Sequence, residues 1–407
     1  MIEHKSGFFS ALFLVAGTCI GGGMLALPIV NGLSGFWPSL CVMLVCCVMM
    51  TASALLLLEA SMWMEEGAHF ITMASRLIGP FGKAISWVLY LFICYASLVA
   101  YAAGGGVQVA SVLEFIFSYS ISKSVGSLCF ILLFGSAVYV GGWFVGRINA
   151  ILFTGMLGAY VALIFFGMGK IDFELLSFRH WPHVWVAFPI TLTAFSFHTM
   201  VPSLSPLLKK NAKVLRAAVV GGAFLAFLVY ALWQVLVLGI VPVEGEMGLV
   251  SAWGRGDLPI TQFLRDHIDA RYLGFAAEYF AFFAIITSFL GIAFGLFDFL
   301  SDGLRIEKKG FGKVFLAFLI VVPVFFFSTY LEKAFLLALD VSGGVGDSIL
   351  AGMIPVLMVW FGRYQCRYPV VSRFLTGKVA LVAIFLFFTF TLFVELSLRL
   401  GAFALTF

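Results

Sequence analysis

Apolar positions along this chain gather into long runs separated by short polar connections. Eleven runs stand out, near residues 7–33, 36–63, 83–112, 124–141, 147–169, 184–208, 216–241, 273–302, 313–330, 333–361 and 378–400. A helix rises about 1.5 Å per residue, so about 20 mainly apolar residues cross a hydrocarbon layer about 30 Å thick. The pattern predicts an all-α membrane protein of eleven transmembrane helices. One connection, 64–82, places Phe70, Ile71, Met73, Leu77 and Ile78 among charged neighbours, which predicts an amphipathic helix on the inner membrane surface.

Composition strengthens that picture. With 62% hydrophobic and 11% charged residues, the 407-residue chain has too little polar surface to clothe a soluble globule. The lipid bilayer is its natural solvent, and 42 glycines favour close helix approach and broken helices. The net charge of +4 is small, and no nucleic-acid partner or obligatory protein partner is indicated. The seven cysteines show no metal-ligand spacing, so neither a metal site nor a cofactor is expected. With the amino terminus placed inside, 16 of the 24 Lys and Arg residues fall in cytoplasmic loops, which orients the chain with its carboxyl terminus outside.

The first five runs and the next five start at a near-constant offset, from 177 residues (7 to 184) to 190 (83 to 273). Such a shift suggests a duplicated unit. An odd number of crossings per unit makes its second copy enter from the opposite side, an arrangement used by many secondary transporters. One membrane domain is therefore expected over 1–407, with one repeat at about 7–169, another at about 184–361 and an extra helix at about 378–400.

The first helix of each copy carries an interruption at a matching place. Gly17, Thr18, Cys19, Ile20, Gly21, Gly22 and Gly23, with Pro28 beyond, answer to Ser196, Phe197, His198, Thr199, Met200, Val201, Pro202 and Ser203. Glycine costs about 1 kcal/mol and proline about 3 kcal/mol in a helix interior, and unwound backbone survives at mid-membrane only where it lines a cavity or is buried in protein. The amides of Gly21 to Met24 suit a carboxylate, and the carbonyls of Phe195, Ser196 and Phe197 suit an ammonium group. The substrate class that results is an amino acid. For its side chain, Tyr95 is the first aromatic candidate and Tyr101 the second, six residues apart and so not bound to share a face.

The run from Gly17 to Pro28 resembles the first-helix motif of the hydroxy and aromatic amino acid permeases, within the amino acid, polyamine and organocation superfamily. Glu66–Thr72, Phe195–His198 with Val201–Ser203, and Thr287–Gly291 with Gly295–Asp298 agree with it, and the similarity is strongest to tyrosine and tryptophan permeases. The resemblance implies a LeuT-type fold of five plus five helices with one added. It also implies import of an aromatic amino acid, tyrosine favoured, with tryptophan or a small hydroxy amino acid such as serine as alternatives, across a bacterial cytoplasmic membrane, driven by a cation gradient, usually of protons. The chain departs from the family pattern at Leu339–Asp347, which is unusually polar and acidic.

Ionisable groups inside a span are functional suspects because each is costly to hold in hydrocarbon. His198 and Asp347 are the candidate proton carriers. Thr287 and Ser288 match the hydroxyl pair that holds sodium in sodium-coupled relatives, although such hydroxyls often bond back to their own helix. Proton coupling is favoured over sodium. Glu59, Asp298 and Asp302 lie near cytoplasmic helix ends, and Lys5 is a candidate partner of Asp298 or Asp302 in an inner gate. Neither the converging polar groups of a membrane enzyme nor the lined pore of a channel is evident.

Overall fold

The computed structural model describes residues 2–65, 68–202, 204, 211–255, 260–261, 264, 271–331, 333–371 and 377–401, without the side chains of residues 2–7, 271 and 273. Glu66, Gly67, Ser203, Lys209, Lys210 and Arg373 of the sequence motifs and loop charges lie outside these residues, as does the side chain of Lys5. Among the described residues the chain is all helical. Nine uninterrupted helices are long and apolar enough to cross a bilayer, and a tenth span is a pair bent by 46° at residues 20–21.

The first span is α1 (Ile2–Cys19), then a 3-10 turn over Gly22–Leu25 and α2 (Leu27–Asn31). It is followed by α3 (Phe36–Met62), the short α4 (Phe70–Leu77), α5 (Pro80–Phe117), α6 (Lys123–Val140) and α7 (Gly142–Gly167). The sixth predicted span, 184–208, begins as α8 (Ala187–Ala194) and is interrupted before a 3-10 turn at His198–Met200. Beyond it come α9 (Ala212–Leu238), α10 (Leu249–Arg255), α11 (Arg271–Leu304) and α12 (Gly310–Tyr330). The tenth predicted span is composite: α13 (Ala334–Val341), a π-helix over Ser342–Met353, then α14 (Ile354–Tyr364), with α15 (Lys378–Arg399) closing the chain.

The wide π turns follow from the sequence inside them. A Cβ on Gly343 would meet Pro189 O at 2.0 Å, one on Gly344 would meet the Glu395 side chain at 2.5 Å, and one on Gly352 the Phe388 ring at 2.2 Å. Helices α8 and α15 thus press against a segment stripped of side chains, and π segments of this kind are often found at functional sites. The α4 helix forms where its amphipathic pattern predicts. Its buried face of Phe70, Met73, Ala74 and Leu77 packs on α5 and α14, so protein rather than lipid covers it.

Glu59 is not left to solvent. Arg363 donates to both of its carboxylate oxygens, Nε to Oε1 and Nη2 to Oε2 at 2.7 Å each, with both side chains almost wholly buried. This forked pair joins α3 to α14. Removing one partner of such a pair leaves an uncompensated buried charge and costs about 3–5 kcal/mol.

Candidate functional site

Both interruptions are open backbone. At the first, the helical ladder ends when Ile20 donates to Ala16 O at 2.8 Å, and the next turn is the tighter one closed by Met24 N–H to Gly21 O at 3.1 Å. The Gly22 amide donates to Ser288 Oγ of α11 at 2.9 Å. Of the four amides offered to a carboxylate by the sequence, Gly22 and Met24 are therefore engaged. Among the described residues, those of Gly21 and Gly23 have no acceptor. The glycines are needed for close approach: a Cβ at Gly21 would lie 2.2 Å from Ser288 Oγ, and one at Gly22 would lie 2.6 Å from the Tyr101 ring.

At the second interruption, Ser196 N–H to Thr193 O at 3.1 Å ends the helix, and Met200 N–H takes the Phe197 carbonyl at 3.0 Å. The carbonyls of Phe195 and Ser196 accept no backbone amide among the described residues. Ser196 Oγ donates to Asp347 Oδ1 at 2.6 Å, which ties this break to the π-helix. Asp347 is 2% exposed, and its Oδ2 is without a hydrogen-bond partner.

One residue spans both breaks. Tyr230 of α9 points its hydroxyl at Cys19 O (2.5 Å) and Ala194 O (2.7 Å), sharing one proton between the carbonyl ends of α1 and α8. One turn on, Trp233 Nε1 donates to Met24 O at 3.0 Å. Spacing of three puts both side chains on one helix face. In the sequence, Tyr and Trp at helical spacing look like ordinary core; only the orphan carbonyls facing them show their task.

A cavity of about 620 Å³ lies against the two breaks. It is lined by Gly17, Thr18, Cys19, Ile20, Gly21 and Gly23 from the first break, Tyr101 from α5, Thr193 and Ser196 from the second, Thr287 and Ser288 from α11, and Ser342 and Asp347 from the π-helix. It continues along Ser10, Phe13 and Leu14 of α1, with Phe13 59% exposed, whereas Met24, Leu25, Ala26, Leu27 and Ile29 on the other side are wholly buried. The cavity thus extends along α1 toward the end where that helix begins, and the backbone beyond the break is buried.

Several candidates lie elsewhere. Tyr95 turns its hydroxyl to Leu319 O of α12 at 2.9 Å and does not line the cavity, so the order expected for the two tyrosines is reversed. Phe195 and Phe197 are fully buried, Phe195 edge-on against Tyr230, so neither ring faces the cavity. His198 is buried against Phe197 outside the cavity wall, with both ring nitrogens unpartnered. Met24 is buried behind the turn. Thr287 bonds back to Phe283 O at 2.9 Å, as membrane hydroxyls commonly do. Asp298 accepts from Lys308 at 2.8 Å, and Asp302 is exposed on the same helix end. Unforeseen wall residues are Tyr90, Asn149, Phe153 and Thr193.

Comparison with known proteins places this geometry. The tryptophan/tyrosine permease family model matches residues 4–395. The tyrosine-specific transport system 1 of Haemophilus influenzae is 31% identical, covering 86% of this chain and 87% of its own. The tryptophan-specific transport protein of the same organism is 28% identical over 99% of both chains. The low affinity tryptophan permease of Escherichia coli K12 is 26% identical, covering 88% of this chain and 87% of its own. Among solved structures, MhsT in complex with L-phenylalanine superposes with a TM-score of 0.65 at 15% identity, covering 98% of each chain. The nucleobase-cation-symport-1 transporter Mhp1 in a closed conformation gives 0.63 at 12%, covering 97% of this chain and 91% of that one. Both carry the LeuT fold, and that fold is shared here.

Proposed function

We propose that this chain, which belongs to the tryptophan/tyrosine permease family, imports a zwitterionic aromatic amino acid, tyrosine ahead of tryptophan, by proton symport. As a member of a permease family it is a transporter rather than an enzyme, and a multi-pass protein of the bacterial inner membrane. Its relatives support an aromatic amino acid as the cargo.

The observation that carries the reading is the meeting of two broken helices and one buried carboxylate at a single cavity. The free amides of Gly21 and Gly23 offer a carboxylate two donors at a helix start, and the carbonyl of Ser196 offers an ammonium an acceptor. Unwound backbone in a cavity wall is the use of such breaks that a membrane tolerates. The phenol-rich and hydroxyl-rich wall, with Tyr90, Tyr101, Thr193 and Ser288, suits tyrosine.

Asp347 is the proton carrier in this reading. A carboxylate that faces the cavity, and that no cationic side chain pairs with among the described residues, is best held protonated while it is out of water. Protonation from the outside, closure, and release of proton and substrate to the inside complete a transport cycle.

The test is labelled tyrosine uptake by purified protein in liposomes under imposed gradients. An inward proton gradient is expected to drive accumulation, a protonophore to abolish it, and a sodium gradient to add nothing. Accumulation that requires sodium would remove the coupling assignment. Failure of both tyrosine and tryptophan to compete would remove the substrate class.

A further inference from the structure

Among the described residues, three buried side-chain oxygens that line the cavity have no hydrogen-bond partner: Asp347 Oδ2, Ser342 Oγ and Asn149 Oδ1. The first two belong to the π-helix beside the second break. Asn149 belongs to α7, a different wall, and no contact within the protein explains its amide. A buried acceptor without a donor is destabilising, and a cavity wall that keeps one is matched to a donor on what enters.

Its height in the cavity follows from helix geometry. Phe153 faces Gly17, where a Cβ would stand 3.5 Å from the ring. Asn149 lies four residues earlier on the same face of α7, about 6 Å nearer the cytoplasm at 1.5 Å per residue. Gly17 lies two residues before α1 ends at Cys19 and the helical ladder gives way to the break. An amino acid held by its charged head at the breaks therefore points its far end toward Asn149, past Phe153 and the apolar edge of Ile20.

We propose that Asn149 is a specificity-determining residue that accepts a hydrogen bond from the far end of the substrate, the phenolic O–H of tyrosine. Tyrosine carries a donor at that end and phenylalanine carries none. A site built around such a bond rejects the analogue that lacks it, because binding the analogue dries the amide without replacing its partner. The proposal rests on the reading of the chain as an aromatic amino acid importer and adds what makes it refuse phenylalanine.

The experiment measures inhibition of labelled tyrosine uptake in liposomes by unlabelled tyrosine, tryptophan and phenylalanine, for the wild type and for Asn149→Leu, Asn149→Ala and Asn149→Asp. The wild type is expected to select against phenylalanine. In Asn149→Leu and Asn149→Ala the phenylalanine-to-tyrosine ratio of inhibition constants should fall roughly tenfold, through a higher KM for tyrosine with little change in maximal rate. Asn149→Asp keeps an acceptor of the same shape and should keep the preference. An unchanged ratio in the Leu and Ala variants, or equal weakening of all three ligands, overturns the proposal. If Leu does not assemble, Ala decides alone. A wild type that takes up neither tyrosine nor tryptophan would instead defeat the functional reading, so the two failures are distinguishable.

Discussion

The two broken helices meet at one cavity, yet they are built in opposite ways. The first is made by leaving side chains out: Gly21 and Gly22 let Ser288 and the Tyr101 ring close on bare backbone. The second keeps its side chains, with Phe195 and Phe197 locked in the core and Ser196 reaching across to Asp347. One break therefore offers the substrate main-chain groups, and the other adds a carboxylate with a hydroxyl to hold it. Adding atoms should harm the first, and deleting atoms should harm the second.

The largest effect is expected at the first break. Gly22→Ala sets a Cβ 2.6 Å from the Tyr101 ring and displaces the amide that Ser288 holds, so initial uptake rates should fall by about 100-fold. Wild-type rates would show that this close approach does not matter.

At the second break, Asp347→Asn keeps the shape and removes the titratable group. Proton-driven accumulation should fall by at least about tenfold while exchange of internal for external tyrosine continues, as expected when a proton carrier but not a binding site is lost. Measuring the two modes side by side in liposomes separates them; loss of both together would make Asp347 a ligand for the ammonium instead. Under the proposed proton symport, uptake by the wild type should rise as the outside is acidified, and the variant should lose that rise.

Tyr230→Phe tests whether the breaks act as one unit. It leaves the carbonyls of Cys19 and Ala194 without their shared donor, and buried acceptors left unmatched cost about 1–3 kcal/mol, so KM for tyrosine should rise about tenfold. A thermal unfolding midpoint that drops with KM unchanged would give Tyr230 a purely structural role.

The smallest effects sharpen the contrast. Thr18 spends its hydroxyl on Leu14 O at 2.7 Å and Thr287 on its own helix, so alanine at either should change uptake by less than about twofold. A Thr287→Ala variant that lost uptake specifically under a sodium gradient would reopen the sodium reading.

Apolar run length fixed the membrane class and the approximate place of each helix, because hydrocarbon thickness acts on every residue of a run alike. Glycine and proline marked the two interruptions, since backbone preference is local and legible one residue at a time. What a side chain faces is not local. Tyr95 and Tyr101, six residues apart at about 100° per residue, stand about 120° apart around the helix, and only the packing of α5 against α11 and α12 turned the second to the cavity and the first to Leu319. The same holds for Tyr230, Asn149 and Ser196, whose partners lie on other helices far along the chain. Length, polarity and the breaks were thus set by the order of residues, whereas the cavity wall was set by which faces the assembled helices press together.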